Sequence, residues 1–284
     1  MTDTDSKPTD DRSTDDIPTD AAAPDQRTGV REEYAEIAST DGSCCGSNAE
    51  ITGSDEGCCG SNDEETEPTP TTDRTRSLGY DRSDLEDAPD GSNLGLGCGN
   101  PVAISQLGAG ETVLDLGSGG GFDCFLAARE VGPEGHVIGV DMTPEMLDRA
   151  RENAWESDLE NVEFRLGEIE HLPVADGSVD AIISNCVVNL SPAKPRVLSE
   201  AFRVLRPGGR LAISDLVATE PLPRELRENP DAVSACVGGA ATISEMETWL
   251  DEAGFVDGSI TVEGEWSDGE LPIVSARIEG RKPA

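Results

Sequence analysis

The stretch DLGSGGG at residues 115–121 follows one apolar run, ETVLDL at 111–116, and precedes another, Phe122–Val131. A short apolar run closed by glycines reads as a buried strand, and the longer run beyond the turn as a helix. Strand, glycine turn and helix in that order open a wound α/β sheet, with the turn at the carboxyl edge where dinucleotide or nucleoside cofactors sit. Glycine lets backbone N–H groups approach such a ligand, so Gly117 and Gly119 are assigned to it. The next run, HVIGV at 136–140, is a second strand. It ends at Asp141, which can accept hydrogen bonds from a ribose diol and disfavours a 2′-phosphate.

The same texture continues on the carboxyl side. Thr143-Pro144 supplies a helix N-cap and first-turn proline, and Met146, Leu147, Ala150 and Ala154 form a buried stripe. Val162–Leu166 and Val179–Ser184 read as strands three and four. Lys194–Leu205 reads as a helix closed by Pro207-Gly208-Gly209, and Arg210–Leu216 as strand five. A helix near Ser244–Ala253 and strands around Ser259–Glu265 and Pro272–Glu279 finish the chain. The expected fold is α/β: a central, mostly parallel sheet with helices on both faces and a small C-terminal extension over 256–284 that completes the sheet. Its core spans 77–255.

On the amino side the texture is different. Residues 1–29 are Asp, Thr, Ser and Pro with almost no large apolar side chains, and are read as a disordered acidic tail. Residues 30–76 form an arm: a short helix placing Val30, Tyr34 and Ile37 on one face, then SCCGSN at 43–48, repeated as GCCGSN at 57–62.

Composition bounds the partners. The 284 residues carry 58 acidic and 21 basic side chains, a formal net charge of −37, and the isoelectric point is about 4.1. Residues 1–76 hold 20 acidic and 6 basic side chains and the remainder 38 and 15, so acidity belongs to the whole chain. Phosphate backbones and anionic membranes need positive surface, so neither nucleic acid nor membrane is expected as a partner. Only Lys7, Lys194 and Lys282 are lysines. High acidity with few lysines suits a halophilic, cytoplasmic protein that stays soluble in concentrated salt, where self-repulsion is screened. No window approaches a membrane span, and the N-terminus lacks a signal pattern. Eight cysteines are too few for a secreted disulfide scaffold; in a cytosolic chain they are reduced, as inert core or soft-metal ligands.

Two further segments narrow the cofactor. GEIEHLP at 167–173 resembles the adenine-side loop of class I (Rossmann-like) methyltransferases, and RVLRPGGRLAISD at 203–215 resembles their entry to strand five. The cysteine settings narrow it further: Cys98 in LGLGCGNP, Cys186 in IISNCVVNLSP and Cys236 in SACVGGA, after the Cys44–Cys45 pair. In this order around the methyltransferase motifs, they resemble the arsenite S-adenosylmethionine methyltransferases from about Leu78 to Phe255. The resemblance implies S-adenosylmethionine as cofactor and arsenite or methylarsenite as substrate. Cys98, Cys186 and Cys236 would bind the arsenic, and the N-terminal pair Cys44 and Cys45 would assist redox turnover or delivery. A cellular thiol or thioredoxin-like reductant would be co-substrate to a monomeric enzyme. Asp115 would fix the turn or the cofactor's amino-acid end, Met142, Ile169 and Glu170 would flank the adenine, and Asn185 would help hold the cofactor.

Trivalent arsenic is soft, forms pyramidal sites with up to three thiolates and keeps a lone pair, so three converging cysteines can hold it and leave a nucleophile. Glycines flanking Cys98 and following Cys236 would let backbone pack close to the sulfur. Cys124, directly after the glycine turn, is read as core. Cys58 and Cys59 depart from the family pattern and stay open between a second capture pair, a silent copy and a disulfide-forming arm. Two other functions fit parts of this pattern. One is a class I methyltransferase acting on a quinone or sterol carbon; the other is a non-catalytic thiol protein that sequesters metalloid.

Overall fold

The computed structural model describes residues 23–39, 70–266 and 271–284. The pairs Cys44–Cys45 and Cys58–Cys59, most of the acidic tail and most of the arm lie outside the described residues.

The first helix, α1 (Ala23–Ser39), starts seven residues before Val30, where the arm is expected to begin. The segment 23–29 assigned to a disordered tail is therefore helical. Its local propensity is poor, and tertiary contacts decide it: Gln26 donates to the Leu190 carbonyl at 3.0 Å, Arg27 pairs with Glu170 at 3.3 Å, and Val30 is buried. Three short helices that the sequence reading leaves out follow: α2 (Pro70–Ser77), α3 (Arg82–Asp87) and α4 (Pro101–Ser105). Caps define two of them. Asp81 and Asp84 form a reciprocal capping box on α3, and Asn100 caps α4 ahead of Pro101.

The sheet then builds as β1 (Thr112–Leu116), α5 (Phe122–Val131), β2 (His136–Asp141), α6 (Pro144–Glu156), β3 (Val162–Leu166), β4 (Val179–Asn185), a 3-10 turn (Val188–Leu190), α7 (Lys194–Val204) and β5 (Leu205–Ala218). After α8 (Arg224–Arg227), α9 (Pro230–Ser234) and α10 (Ile243–Ala253) come β6 (Val256–Glu265) and β7 (Ile273–Arg281). Strand order is β3-β2-β1-β4-β5-β7-β6, with the first five strands parallel and β7 antiparallel to both β5 and β6. Pro207-Gly208-Gly209 does not end α7 as expected. It lies inside β5, where pairing jumps from Val179↔Leu205 to Ala181↔Arg210 and Gly208 adopts φ +80°.

The central parallel strands β1, β2 and β4 are buried on both faces and carry near-continuous apolar runs, whereas the edge strand β3 buries only Phe164. One core joins β1, β4 and β5 to α7 and α10, and the other joins β1, β2 and β4 to α5 and α6. The chain leaves β1 toward β2 on one side and β4 toward β5 on the other, so a crevice opens at the carboxyl ends of β1 and β4. A third apolar cluster fills this end of the sheet and contains Val30, Cys98, Cys186 and Cys236.

Candidate active site

At the end of β1 the amides of Gly117 and Ser118 donate to the Val140 carbonyl at 2.7 and 3.1 Å, and the Gly119 amide donates to Asp141 Oδ2 at 3.0 Å. These bonds pin the glycine turn to β2. Gly117 has φ +72°, and a Cβ there would lie 2.5 Å from the Val187 methyls, so this position admits glycine alone without rearrangement. Asp141 also accepts from the Thr143 amide at 2.8 Å.

A cavity of about 400 Å³ lies over this turn. Asp115, Gly117, Gly119, Asp141, Met142, Ile169, Glu170 and Asn185 all line it, together with Cys186 and Cys236. Its polar lining is acidic. Burial, and then the charge of Asp123, push the Asp115 carboxyl well up; burial also raises Asp141, and pushes Asp123 up to about 6. Three buried carboxyls around one cavity suit a cationic ligand, which would restore their charged forms. The Ser118 hydroxyl is buried there without a partner. Cys124 is fully buried, as its reading as core requires, but its thiol also donates to Asp115 Oδ2 at 3.2 Å.

Glu170 is more constrained than an adenine neighbour would be. It accepts from the Ser191 hydroxyl at 2.6 Å and from Arg27 of α1 at 3.3 Å, so the N-terminal helix is tied to the rim of the cavity.

Cys98 and Cys186 are joined as a disulfide, with Cα atoms 5.8 Å apart across 88 residues of chain. The expectation that all the thiols are reduced differs here from the structure. The Cys236 thiol donates to the Cys186 carbonyl at 2.7 Å. Among the described residues, the Cys98 and Cys186 sulfurs and an Asp215 oxygen lie within 4.8 Å of one another, and Cys236 meets the pair at the Cys186 backbone. Cys186 and Cys236 both have left-handed backbone, φ +57° and +63°. That conformation costs a side-chain-bearing residue roughly 1–2 kcal/mol and persists only where the surroundings enforce it.

The surroundings do so at both positions. The Cys186 amide donates to the Ser214 carbonyl at 2.8 Å. Asp215 accepts from the Leu216 amide, the Asn189 amide and the Asn189 side chain, which locks the turn after Cys186. Gly239 packs so tightly on the Asn189 carbonyl that a Cβ would sit 1.9 Å from its oxygen. The glycines after Cys236 therefore serve contact with the neighbouring backbone, not with the sulfur. Burial, and then the charge of Asp215, push the Cys236 thiol well up, against the opposing effect of Lys194. Burial itself raises Asp215 to about 7 and lowers Lys194 to about 8.

Sequence reading did not single out Tyr34, Tyr80, Asp123, Lys194 or Asp215 for this site. Asp215 ends the quoted RVLRPGGRLAISD run and Asp123 lies two residues past the glycine turn, so both had a local signal. Tyr34 and Tyr80 come from helices and loops ahead of the sheet, whose placement no local pattern reports.

A family profile described as a methyltransferase domain matches residues 107–254. The arsenite methyltransferase of Halobacterium salinarum is 53% identical over 265 residues, covering 90% of this chain and 66% of that protein. The human arsenite methyltransferase is 40% identical over 168 residues, 56% of this chain and 44% of that protein. The chain thus spans less than two thirds of the length of these curated relatives. Among solved structures, the arsenic(III) S-adenosylmethionine methyltransferase CrArsM of Chlamydomonas reinhardtii is similar at 34% identity and a TM-score of 0.59, covering 74% of this chain and 73% of that one. A cysteine pair at the rim of an acidic, glycine-floored cavity and these likenesses lead to one assignment: the chain belongs to the arsenite S-adenosylmethionine methyltransferase family.

Proposed function

We propose that the protein transfers a methyl group from S-adenosylmethionine to trivalent arsenic held by the thiols of Cys98, Cys186 and Cys236. The observation that carries this reading is the meeting of Cys98 and Cys186 at the carboxyl end of β4, with Cys236 bonded to the Cys186 carbonyl, where Cys186 and Cys236 line the same cavity that the glycine turn floors. Asp115, Asp123 and Asp141 surround the cavity with negative charge that fits the cofactor's cationic groups. When bound, S-adenosylmethionine supplies an electrophilic methyl whose bonding pair stays with sulfur.

The disulfide is opened by a dithiol, which gives two hydrogens to the Cys98 and Cys186 sulfurs and leaves as its own disulfide. Each protein thiol then displaces one hydroxide of arsenite, and its proton departs with that hydroxide as water. The Cys236 thiol, held protonated by burial, suits this exchange, because no ionised base is consumed. The apolar cluster around the sulfurs would keep bulk water off arsenic bound there, and holding it beside the cofactor cavity in one orientation would supply much of the effective molarity.

Use of the arsenic lone pair for the new bond to carbon leaves arsenic formally pentavalent; two electrons from a thioredoxin-like protein or small dithiol, which leaves as its disulfide, return it to trivalent methylarsenite, a second substrate on this reading. The enzyme acts as a monomer in a salty cytoplasm. Among the described residues no helix is long and apolar enough to cross a membrane. Cys44 and Cys45 deliver arsenic or relay reducing equivalents. The test is one incubation with arsenite, S-adenosylmethionine and a dithiol in molar potassium chloride, read by arsenic speciation. Mono- and dimethylated arsenic are expected, in amounts that decline in dilute buffer. Folded, cofactor-binding protein that yields no methylated arsenic overturns the proposal.

The acidic cavity carries a pH signature. A cation binds the ionised form of Asp123, which in the empty pocket titrates near about 6. Affinity for S-adenosylmethionine therefore falls as the pH drops through that value, approaching tenfold per unit for each proton that competes, and the raised Asp115 adds to the fall. Calorimetry between pH 8 and pH 5 checks this. A flat profile would separate Asp123 from the cation.

A further inference from the structure

Asn185 ends β4 opposite Ser214 of β5, and the next residue is Cys186. Its side chain does not simply face the cofactor cavity. The Cys98 amide donates to Asn185 Oδ1 at 3.0 Å, and Asn185 Nδ2 donates to the Gly99 carbonyl at 2.8 Å. The carboxamide thus pairs with the backbone of residues 98–99 on both sides, much as a neighbouring strand would. Nδ2 also donates to the Tyr80 hydroxyl at 2.9 Å and lies 3.3 Å from Asp123 Oδ2, while Tyr80 donates to Asp123 Oδ1 at 2.6 Å. These contacts keep the amide from turning.

The segment being held has little stiffness of its own. Gly95 and Gly97 have φ +65° and +109°, and three glycines in LGLGCG lose much conformational freedom when ordered. The contact is close enough to require glycine: a Cβ on Gly97 would lie 2.8 Å from the Asn185 amide, and one on Gly99 would lie 2.8 Å from the Ser214 side chain. One residue therefore leads by its backbone into Cys186 and grips Cys98 by its side chain.

We propose that Asn185 is a positioning residue that sets the separation of Cys98 and Cys186, in addition to any contact with the cofactor. Any ligand that bridges the two sulfurs, whether a bond between them or one arsenic atom, binds in proportion to how well that separation is preorganised. The proposal rests on the arsenic reading for its meaning in catalysis, but its decisive measurement uses no arsenic.

The experiment compares the full chain with Asn185→Ala in glutathione redox buffers, counting the Cys98–Cys186 disulfide by alkylation and peptide mass spectrometry. Binding of S-adenosylhomocysteine and of arsenite to the reduced protein is measured alongside. Loss of two backbone hydrogen bonds is expected to lower the disulfide equilibrium constant about tenfold, which is a shift of about 30 mV. Arsenite affinity falls by a similar factor, and S-adenosylhomocysteine affinity is read separately as the measure of the place Asn185 has in the cofactor cavity. Tenfold weaker S-adenosylhomocysteine binding with an unmoved disulfide equilibrium would overturn the proposal in favour of a pure cofactor contact, and no change in either would overturn it outright. Should the alanine variant fail to fold, the isosteric Asn185→Asp decides. It keeps the acceptor for the Cys98 amide and loses the donor to Gly99, so its disulfide equilibrium falls in the same direction, and an unchanged value sinks the idea. If wild-type protein binds no arsenite while the disulfide still shifts in the variant, the arsenic reading fails and the role of Asn185 stands.

Discussion

Serine in place of Cys186 removes arsenite methylation by about a thousandfold or more, while S-adenosylhomocysteine still binds within about threefold of wild type. The change keeps the Cβ, so the left-handed backbone at φ +57° is as tolerable for serine as for cysteine. What it removes is a soft donor. A hydroxyl is a poor ligand for trivalent arsenic, and a thousandfold loss corresponds to about 4 kcal/mol. Cys98→Ser has the same effect, and the double variant is little worse than either single one, because the two sulfurs act as one unit. Speciation of products under single-turnover conditions checks the loss, and calorimetry checks the retained cofactor site. An enzyme acting on a quinone or sterol carbon tolerates both serines. Retention of more than a tenth of wild-type activity would therefore move the reaction away from these sulfurs.

Alanine at Gly117 is expected to cost cofactor affinity about a hundredfold, by two separable routes. The φ of +72° disfavours any side chain, by roughly 1–2 kcal/mol. The added methyl would also lie 2.5 Å from the Val187 methyls, an overpacking that costs roughly 1–3 kcal/mol. Their combined effect falls on the amides of 117–119 and on the turn that follows Cys186, so methylation falls with it. Gly117→Ala combined with Val187→Ala relieves only the overpacking and recovers about tenfold of the affinity. Near-normal S-adenosylhomocysteine binding by the single variant would show that the turn does not form the cofactor floor.

Legibility in the sequence followed the range of the interactions. The strands beginning at His136 and Val162 come out where periodicity places them, because short buried runs between turn residues carry their own signal. The capped helices α3 and α4 do not, since five- and six-residue helices have no periodicity to detect. The start of α1 is not legible either, because its first turn gains order from Leu190 and Glu170, more than 140 residues away.

Read as a sequence, the chain already determines a parallel α/β sheet, a glycine turn after its first strand and an acidic residue at the end of its second. Those are local properties, set by side-chain periodicity and by the φ angles glycine permits. The tertiary structure alone decided that Cys98 and Cys186 abut, that Cys236 reaches them through a backbone carbonyl, and that Asn185 grips the Cys98 loop. The physical reason is the separation along the chain: the paired cysteines are 88 positions apart, and Cys186 and Cys236 are 50 apart. Only the assembled edge of β4 and β5 brings such partners together, and no local pattern encodes the distance between them.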